Sequence, residues 1–240
     1  MKMDTMTTQS SKILGIFGGM GPEATVDFYR QVILLTPAEC DQDHIPTLIY
    51  SLPQVPDRTA AIRTGDDRII PFLVEGVTRI ERAGASHICI PCNTVHVYYD
   101  HMQAAVSIPI LHLIRETVSA IRITHPTIQK VGLLATSGTL QSGVYETEFT
   151  AAGLTTIKPD DNVEQDQVMR AVYGIKSGED KQTAEDLLAA AGNHVVDKGA
   201  EIIVLGCTEI PLAFNAERAR VPVVNATEVL ARAAVRLFMS

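Results

Sequence analysis

Two cysteines, Cys92 and Cys207, stand where a thiol can take part in acid–base chemistry. Residues 84–94 and 199–209 share one pattern, in which small residues and an apolar run lead to a cysteine and then to polar residues. The two stretches match position by position, since residue 207 lies 115 positions after residue 92. The apolar runs predict strands buried on both faces, as in parallel sheets. Ligands of open α/β sheets bind at the carboxyl ends of such strands, where both cysteines fall.

Two thiols that face each other across a substrate suit the inversion of a stereocentre. One cysteine, as a thiolate, removes a proton from one face of a carbon, and the other, as a thiol, returns a proton to the opposite face. A helix N-terminus lowers the pKa of a thiol, and the sequence predicts this effect for Cys92 and Cys207. We expect Glu209, two residues after Cys207, and His96, one helical turn after Cys92, to adjust these pKa values.

Two further pairs of segments indicate an internal duplication. Residues 15–21 correspond to residues 132–138 with an offset of 117, and residues 108–111 correspond to residues 221–224 with an offset of 113. Three segments in the same order at nearly one offset are typical of a duplicated unit. The predicted fold class is therefore α/β, with two similar parallel-sheet domains and an active site in the cleft between them.

The duplication divides the chain into a first half, residues 12–116, and a second half, residues 117–225. The C-terminal helix, residues 226–240, is assigned to the first half. Within these halves the pattern predicts one helix after Cys92, a short strand over residues 110–112 and one helix over residues 142–152. These elements must bring the two cysteine-bearing turns together.

The composition excludes several classes of protein. The net charge is −8 and the sequence has no basic run, so it does not predict a positively charged surface that could bind nucleic-acid phosphates. Residues 1–11 are polar and lack the apolar core of a signal peptide, and no stretch approaches the length of a membrane span. We expect a cytoplasmic protein with no nucleic-acid or membrane partner, whose four cysteines are reduced.

The glycine-rich turn after the first strand has two other interpretations. Gly19, Gly21 and Ala24 formally fit a dinucleotide-binding fingerprint, but no acidic ribose partner follows a second strand. We favour a nest of backbone amides for a carboxylate, with Met20 lining the cleft, and a plain strand-to-helix turn explains the glycines equally well. Arg58, on a loop with two prolines, is placed to bind a carboxylate with two nitrogens.

The cysteines also have less specific interpretations. Free cysteine is among the most buried residue types, and we interpret Cys40 and Cys89 as such structural residues. Cys89 and Cys92 have the spacing of redox or zinc sites. Against that use, Cys89 lies inside the apolar strand and the duplicate keeps a cysteine only at the Cys92 position. We therefore expect no metal site.

Five motifs in order along the chain resemble the aspartate/glutamate racemase family, and more closely its aspartate racemase branch. They are GGMGPEAT at 18–25, PDRT at 56–59, PCNTVH at 91–96, ATSGT at 135–139 and GCTEI at 206–210. The resemblance implies an amino-acid racemase that needs no cofactor, pyridoxal phosphate included, and that uses Cys92 and Cys207 as opposed acid and base. It also implies a homodimer.

The resemblance implies a set of substrate-binding residues as well. Arg58 and Lys176 would hold carboxylates, and Asn93, Thr94, Thr136, Thr139 and Thr208 would hold the amino and carboxylate groups. Beside these, we predict Met20, Ser137 and Glu209 as substrate-binding residues. Two separate cations favour a dicarboxylic substrate, and we predict the interconversion of L- and D-aspartate. The alternatives are a racemase for glutamate or for many amino acids, a cis-trans isomerase or decarboxylase on the same fold, and a small-acid binding protein without activity.

Overall fold

The computed structural model describes residues 12–239 and contains two parallel sheets flanked by helices. The prediction about residues 1–11 lies outside this part of the chain, as does residue 240 at the end of the predicted C-terminal segment. The predicted α/β fold class is confirmed. None of the helices within residues 12–239 is long and apolar enough to cross a bilayer.

The first half carries the three-stranded sheet, in the order β2-β1-β3. Its elements are β1 (Leu14–Gly18), α1 (Pro22–Leu35), β2 (Thr47–Ser51), α2 (Arg58–Thr64), α3 (Ile70–Arg82), β3 (His87–Cys89), α4 (Tyr99–Ala104) and α5 (Leu113–Thr124). β1 is buried along its whole length because helices cover both faces of the sheet. Pro22 occupies the first turn of α1, where its missing amide hydrogen costs nothing.

The second half carries a four-stranded sheet, in the order β5-β4-β6-β7. Its elements are β4 (Lys130–Leu134), α6 (Ser137–Ser142), α7 (Val144–Ala151), β5 (Thr155–Ile157), α8 (Asp161–Val163), a π-helical segment (Glu164–Met169), α9 (Arg170–Ser177), α10 (Lys181–Asp197), β6 (Ile202–Leu205) and β7 (Val223–Asn225). The helix α11 (Ala226–Phe238) follows β7. Asn225 caps α11 by accepting hydrogen bonds from the backbone amides of Thr227 and Glu228.

The two sheets repeat one topology, as the duplication requires. β1 and β4 are equivalent central strands, and β3 and β6 lie beside them. The fourth strand, β7, corresponds in the first half to a single bridge between Ile88 and Ile110. A strand predicted over residues 110–112 is therefore wrong beyond Ile110, since His112 instead caps α5 through its ring nitrogen.

Three helix predictions need correction. Arg58 is the first residue of α2, not a loop residue, because Asp57 accepts a hydrogen bond from the Ala60 amide and caps a helix there. The single helix predicted over residues 142–152 is two helices, separated at Gly143, whose φ of 69° ends the first. After Cys92 the chain forms a 3₁₀ helix (Thr94–Tyr98) before α4 begins.

The halves share one apolar core. It contains Leu14 and Ile16 of β1, Val131 of β4, Ile202 of β6 and Leu230 of α11. α11 packs against α1 and α5, and α5 runs across the predicted boundary at residue 116. The division at that residue stays a prediction. Separate outer clusters contain the two cysteine-bearing turns.

Gly76 of α3 allows the close packing of that helix on β1. A Cβ at this position would lie 2.2 Å from the ring of Phe17, which is fully buried. We expect Gly76→Ala to lower the free energy of unfolding by about 1–3 kcal/mol, measured by urea denaturation. Gly192→Ala in α10 is the matched control, because its Cβ would meet nothing nearer than 3.4 Å. Equal stability losses in both variants would contradict this packing role.

Candidate active site

Cys92 follows β3 in a buried turn whose backbone is held by His96. The imidazole Nε2 accepts a hydrogen bond from the Leu113 amide at 3.2 Å, so Nδ1 carries the proton and donates to the Cys92 carbonyl at 2.8 Å. Burial, helped by the neighbouring His112, lowers the pKa of His96 to about 4. His96 is thus neutral and fixes the backbone of the turn, which corrects the prediction that it acts on the thiol.

Cys207 follows β6 and contacts the buried carboxylate of Glu209. Its Sγ donates to Oε2 of Glu209 at 3.0 Å, while Oε1 accepts from the Gly21 amide of the first half at 2.8 Å. Nζ of Lys176 lies 3.7 Å from Oε1. Glu209 is only 3% exposed, and its Oε2 also accepts a hydrogen bond from the Thr208 hydroxyl at 3.4 Å, so four protein groups surround the carboxylate. The glycine-rich turn therefore does receive a carboxylate, and it comes from the protein itself.

Both thiols line one cavity between the halves. Ten of the twelve predicted site residues border it: Met20, Arg58, Cys92, Asn93, Thr94, Thr136, Lys176, Cys207, Thr208 and Glu209. The sequence did not single out the other lining residues, which are Asp57, Thr59, Met169, Val172 and Tyr173. The cavity volume is about 10 Å³, which is space for about one water molecule. An amino acid can enter only when side chains or halves move apart.

Thr139 and Ser137 lie outside this cavity. Thr139 is fully buried, and its hydroxyl lies 2.9 Å from that of Thr94 and 3.0 Å from that of Thr136. The three hydroxyls form a bonded cluster that joins the halves. Ser137 donates to Glu164 and accepts from Gln165, which turns its hydroxyl away from the lining. Direct substrate contact by either residue is not supported by its position.

Arg58 supplies the positive charge on the first-half side of the cavity. Its guanidinium donates to the carbonyls of Val55 and Pro56, both at 3.3 Å, and to that of Met20 at 3.4 Å. Within residues 12–239 its hydrogen bonds all go to neutral carbonyls, so its charge is not neutralised by a carboxylate. The hydrogen bonds to backbone carbonyls orient the Arg58 side chain and leave its positive charge available to an anionic ligand.

The pKa values of the two thiols are raised, whereas the sequence predicted that helix N-termini would lower them. Burial raises the pKa of Cys92, and the charges of Arg58 and Lys176 oppose that rise. Burial, together with the charge and hydrogen bond of Glu209, raises the pKa of Cys207 further. Burial is the largest single influence on the pKa of Lys176 and would lower it, but the charges of Glu209, Cys207 and Cys92 together outweigh it and raise that pKa.

These shifts predict an order of ionisation. Because both pKa values are raised, neither thiol ionises until the pH exceeds the usual range of cysteine, and Cys92 ionises before Cys207. In a Cys40→Ala background, which lacks the one exposed thiol among the four cysteines, we expect the ultraviolet absorbance of the Cys92 and Cys207 thiolates to rise in two steps as the pH increases. The first step should disappear in Cys92→Ala. Its loss in Cys207→Ala instead would contradict the assignment.

Cys89 lies in β3 and belongs to the shared apolar core, away from the cavity lining. Burial raises its pKa strongly. Among residues 12–239, no group of three or more His, Cys, Asp and Glu side chains is placed to hold a metal ion. The four cysteines are all unpaired, and Cys40 is exposed, so its interpretation as a buried structural residue is wrong. The C-x-x-C spacing thus does not bring Cys89 and Cys92 to one site.

Known proteins resemble this chain over nearly its whole length. The profile of the Asp/Glu/hydantoin racemase family matches residues 17–234. The broad specificity amino-acid racemase RacX of Bacillus subtilis (strain 168) is 30% identical over 234 residues, which are 95% of this chain and 99% of that protein.

Solved structures of racemases also superpose on this chain over most of its length. The aspartate racemase of Picrophilus torridus superposes with a TM-score of 0.84 at 29% identity, over 95% of this chain and 94% of that chain. Glutamate racemase of Francisella tularensis, in complex with D-glutamate, gives a TM-score of 0.63 at 18% identity, over 96% and 82% of the two chains, which is a likeness of fold alone. The family predicted from the motifs is confirmed, and the chain belongs to the Asp/Glu/hydantoin racemase family.

Proposed function

We propose that this protein is a cofactor-independent racemase that interconverts L- and D-aspartate with Cys92 and Cys207 as opposed acid and base. One observation carries the proposal: thiols from equivalent positions of two duplicated sheets line the same cavity. A duplicated frame suits a reaction whose reverse exchanges the roles of the two groups. Each thiol then needs a comparable position on its own face of the α-carbon.

Glu209 provides the base that ionises Cys207. The thiol already donates to its carboxylate at 3.0 Å, and transfer of that proton leaves a thiolate beside the substrate. The thiolate takes the α-proton, and the Cys92 thiol delivers its own proton to the opposite face. Cys92 is then the thiolate, stabilised by Arg58 and Lys176, and Cys207 is the thiol. In the other direction Cys92 abstracts, Cys207 donates, and Glu209 returns its proton to Cys207, so the two directions together gain and lose no proton.

The cavity also supplies groups that stabilise the carbanion. Negative charge moves from the α-carbon onto the α-carboxylate as the proton leaves, and donors fixed in a buried site stabilise it more than water does. Arg58 and the amide nitrogen of Asn93 are such donors. The hydroxyl of Thr94, a third lining residue, is fixed in place by hydrogen bonds with the hydroxyls of Thr136 and Thr139. We assign the α-carboxylate to these residues.

The positive charge of Lys176 affects which amino acids the cavity can bind. As a second cation in the lining, it favours a side-chain carboxylate and hence aspartate. Its charge is partly offset by Glu209 at 3.7 Å, however, and a groove of about 540 Å³ continues past Arg58 and Lys176 toward Val55 and Leu212. These two observations favour a broad substrate range as the second candidate. The relative from Bacillus subtilis, which carries that description, supports it.

The test is a chiral assay on the reduced protein without added cofactor. L-aspartate, L-glutamate, one neutral and one cationic amino acid are supplied at equal concentration, and D-isomers are separated chromatographically. Selective formation of D-aspartate supports the first candidate, and comparable turnover of all four supports the second. No D-isomer from any substrate would overturn the racemase proposal and favour an isomerase, a decarboxylase or a binding protein. Homodimer formation and cytoplasmic location stay predictions.

A further inference from the structure

The hydroxyl of Tyr145 reaches across the boundary between the halves to the Asn93 side chain. Tyr145 lies on α7 of the second half, and Asn93 belongs to the turn after Cys92 in the first. The phenolic oxygen donates to Oδ1 of Asn93 at 2.6 Å. Tyr145 is fully buried and Asn93 is 2% exposed, so this bond is shielded from water. Short hydrogen bonds in such surroundings are strong and directional.

The other end of the Asn93 amide has no protein partner. Its Nδ2 is buried and makes no hydrogen bond within the described residues, although Asn93 lines the cavity between the thiols. A buried donor without an acceptor is unfavourable, and native proteins rarely keep one unless a ligand or water completes it. An anionic substrate group in the cavity would satisfy it. The arrangement thus has one end fixed by the protein and one end free for a ligand.

The tyrosine ring is held so that its hydroxyl keeps this direction. Its centroid lies 5.3 Å from that of Phe149 on the same helix, in a tilted arrangement. Burial raises the pKa of Tyr145, so the hydroxyl stays protonated and can donate. A donor at Oδ1 selects one of the two amide orientations. Without it, the amide can rotate by half a turn and present its oxygen to the substrate carboxylate, which is repulsive.

We propose that Tyr145 is a positioning residue that orients the Asn93 amide so that Nδ2 binds the α-carboxylate of the substrate. This inference rests on the proposed function for the identity of the ligand. Tyr145 touches neither the substrate nor the thiols in this role, since it is absent from the cavity lining. It links the second half to substrate binding by the first half. In this role, Tyr145 acts on catalysis through Asn93.

A double-mutant cycle tests the proposal. Tyr145→Phe removes only the hydroxyl, and we expect kcat/KM for L-aspartate to fall about 10- to 100-fold. Both a higher KM and a lower kcat should contribute, because Asn93 is assigned to the carboxylate of the bound substrate and of the carbanion, and titration calorimetry should show the loss of affinity. In an Asn93→Ala background the same change should alter kcat/KM and Kd less than about twofold, because the group that Tyr145 orients is gone. Tyr99→Phe is the control, since its hydroxyl donates to the Ile110 carbonyl outside the cavity.

The outcomes separate this inference from the proposed function. Equal losses of affinity in both backgrounds, or a lower melting temperature with unchanged kcat/KM and Kd, would show that Tyr145 is merely structural. If the wild type binds aspartate without racemising it, the proposed function fails, and the Kd cycle still decides the role of Tyr145. A wild type that binds no amino acid would overturn both.

Discussion

Replacing Cys92 or Cys207 with Ala is expected to abolish racemisation in both directions, with a loss of about 10²–10⁴-fold or more. Each direction needs one thiolate to abstract and one thiol to donate, so a single remaining cysteine cannot complete either. Removing a sulfur from a buried site leaves a small cavity, which lowers the free energy of unfolding by roughly 1 kcal/mol. We therefore expect both variants to fold. The chiral assay measures the loss, and circular dichroism verifies folding.

Cys89→Ala is the matched control for these variants. Its thiol is as buried as the other two, but it lies in the shared core and not at the cavity. It should lose a similar amount of stability and keep its racemase activity. Wild-type rates in either Cys92→Ala or Cys207→Ala would overturn the two-base mechanism. An equal loss in Cys89→Ala would mean that the assay reports core packing.

Glu209→Gln should have the second largest effect, a fall in kcat of about 10²–10³-fold near neutral pH. The amide keeps the shape of the side chain but cannot take the proton from Cys207. Because the charge of Glu209 contributes to the raised pKa of Cys207, its removal lowers that pKa, although burial still keeps it above the usual value. Hydroxide can then ionise the thiol directly. Activity of the variant should therefore recover partly as the pH rises.

The pH dependence distinguishes this role from a structural one. A pH–rate profile in which Glu209→Gln loses the same factor at every pH would contradict proton transfer to the carboxylate. Glu201→Gln is the control, since Glu201 accepts hydrogen bonds from the backbone amides of Gln129 and Lys130 at the surface and does not line the cavity. It should leave the profile unchanged.

The sequence was sufficient to predict the α/β frame and the meeting of Cys92 and Cys207 at one cavity. Matching patterns around Cys92 and Cys207 predicted equivalent strand ends, and parallel strands deliver their carboxyl ends to one edge. The central strand β1 could be predicted from the sequence because a strand buried on both faces is apolar throughout and this one ends at glycines. The strand-to-helix turn expected at the glycines is followed by α1, whose first turn contains Pro22.

The remaining features depend on tertiary contacts. α2 was missed because two prolines suggested a loop, although Asp57 followed by a short run to Gly65 is a usable cap signal. The pKa values of Cys92 and Cys207 are raised and not lowered as the sequence predicted, because burial raises a thiol pKa by more than a short helix end lowers it. The bond from Tyr145 to Asn93 joins residues 52 positions apart, and no local pattern predicts it.

The most direct test of the two-base mechanism is racemisation of L-aspartate in deuterated water, followed to low conversion by proton NMR and chiral separation. If opposed thiols act on the two faces, the D-aspartate formed carries deuterium at the α-carbon from a solvent-exchanged thiol, while the remaining L-aspartate keeps its proton. Product that retains the original proton, or equal labelling of both isomers from the start, would show that one base serves both faces.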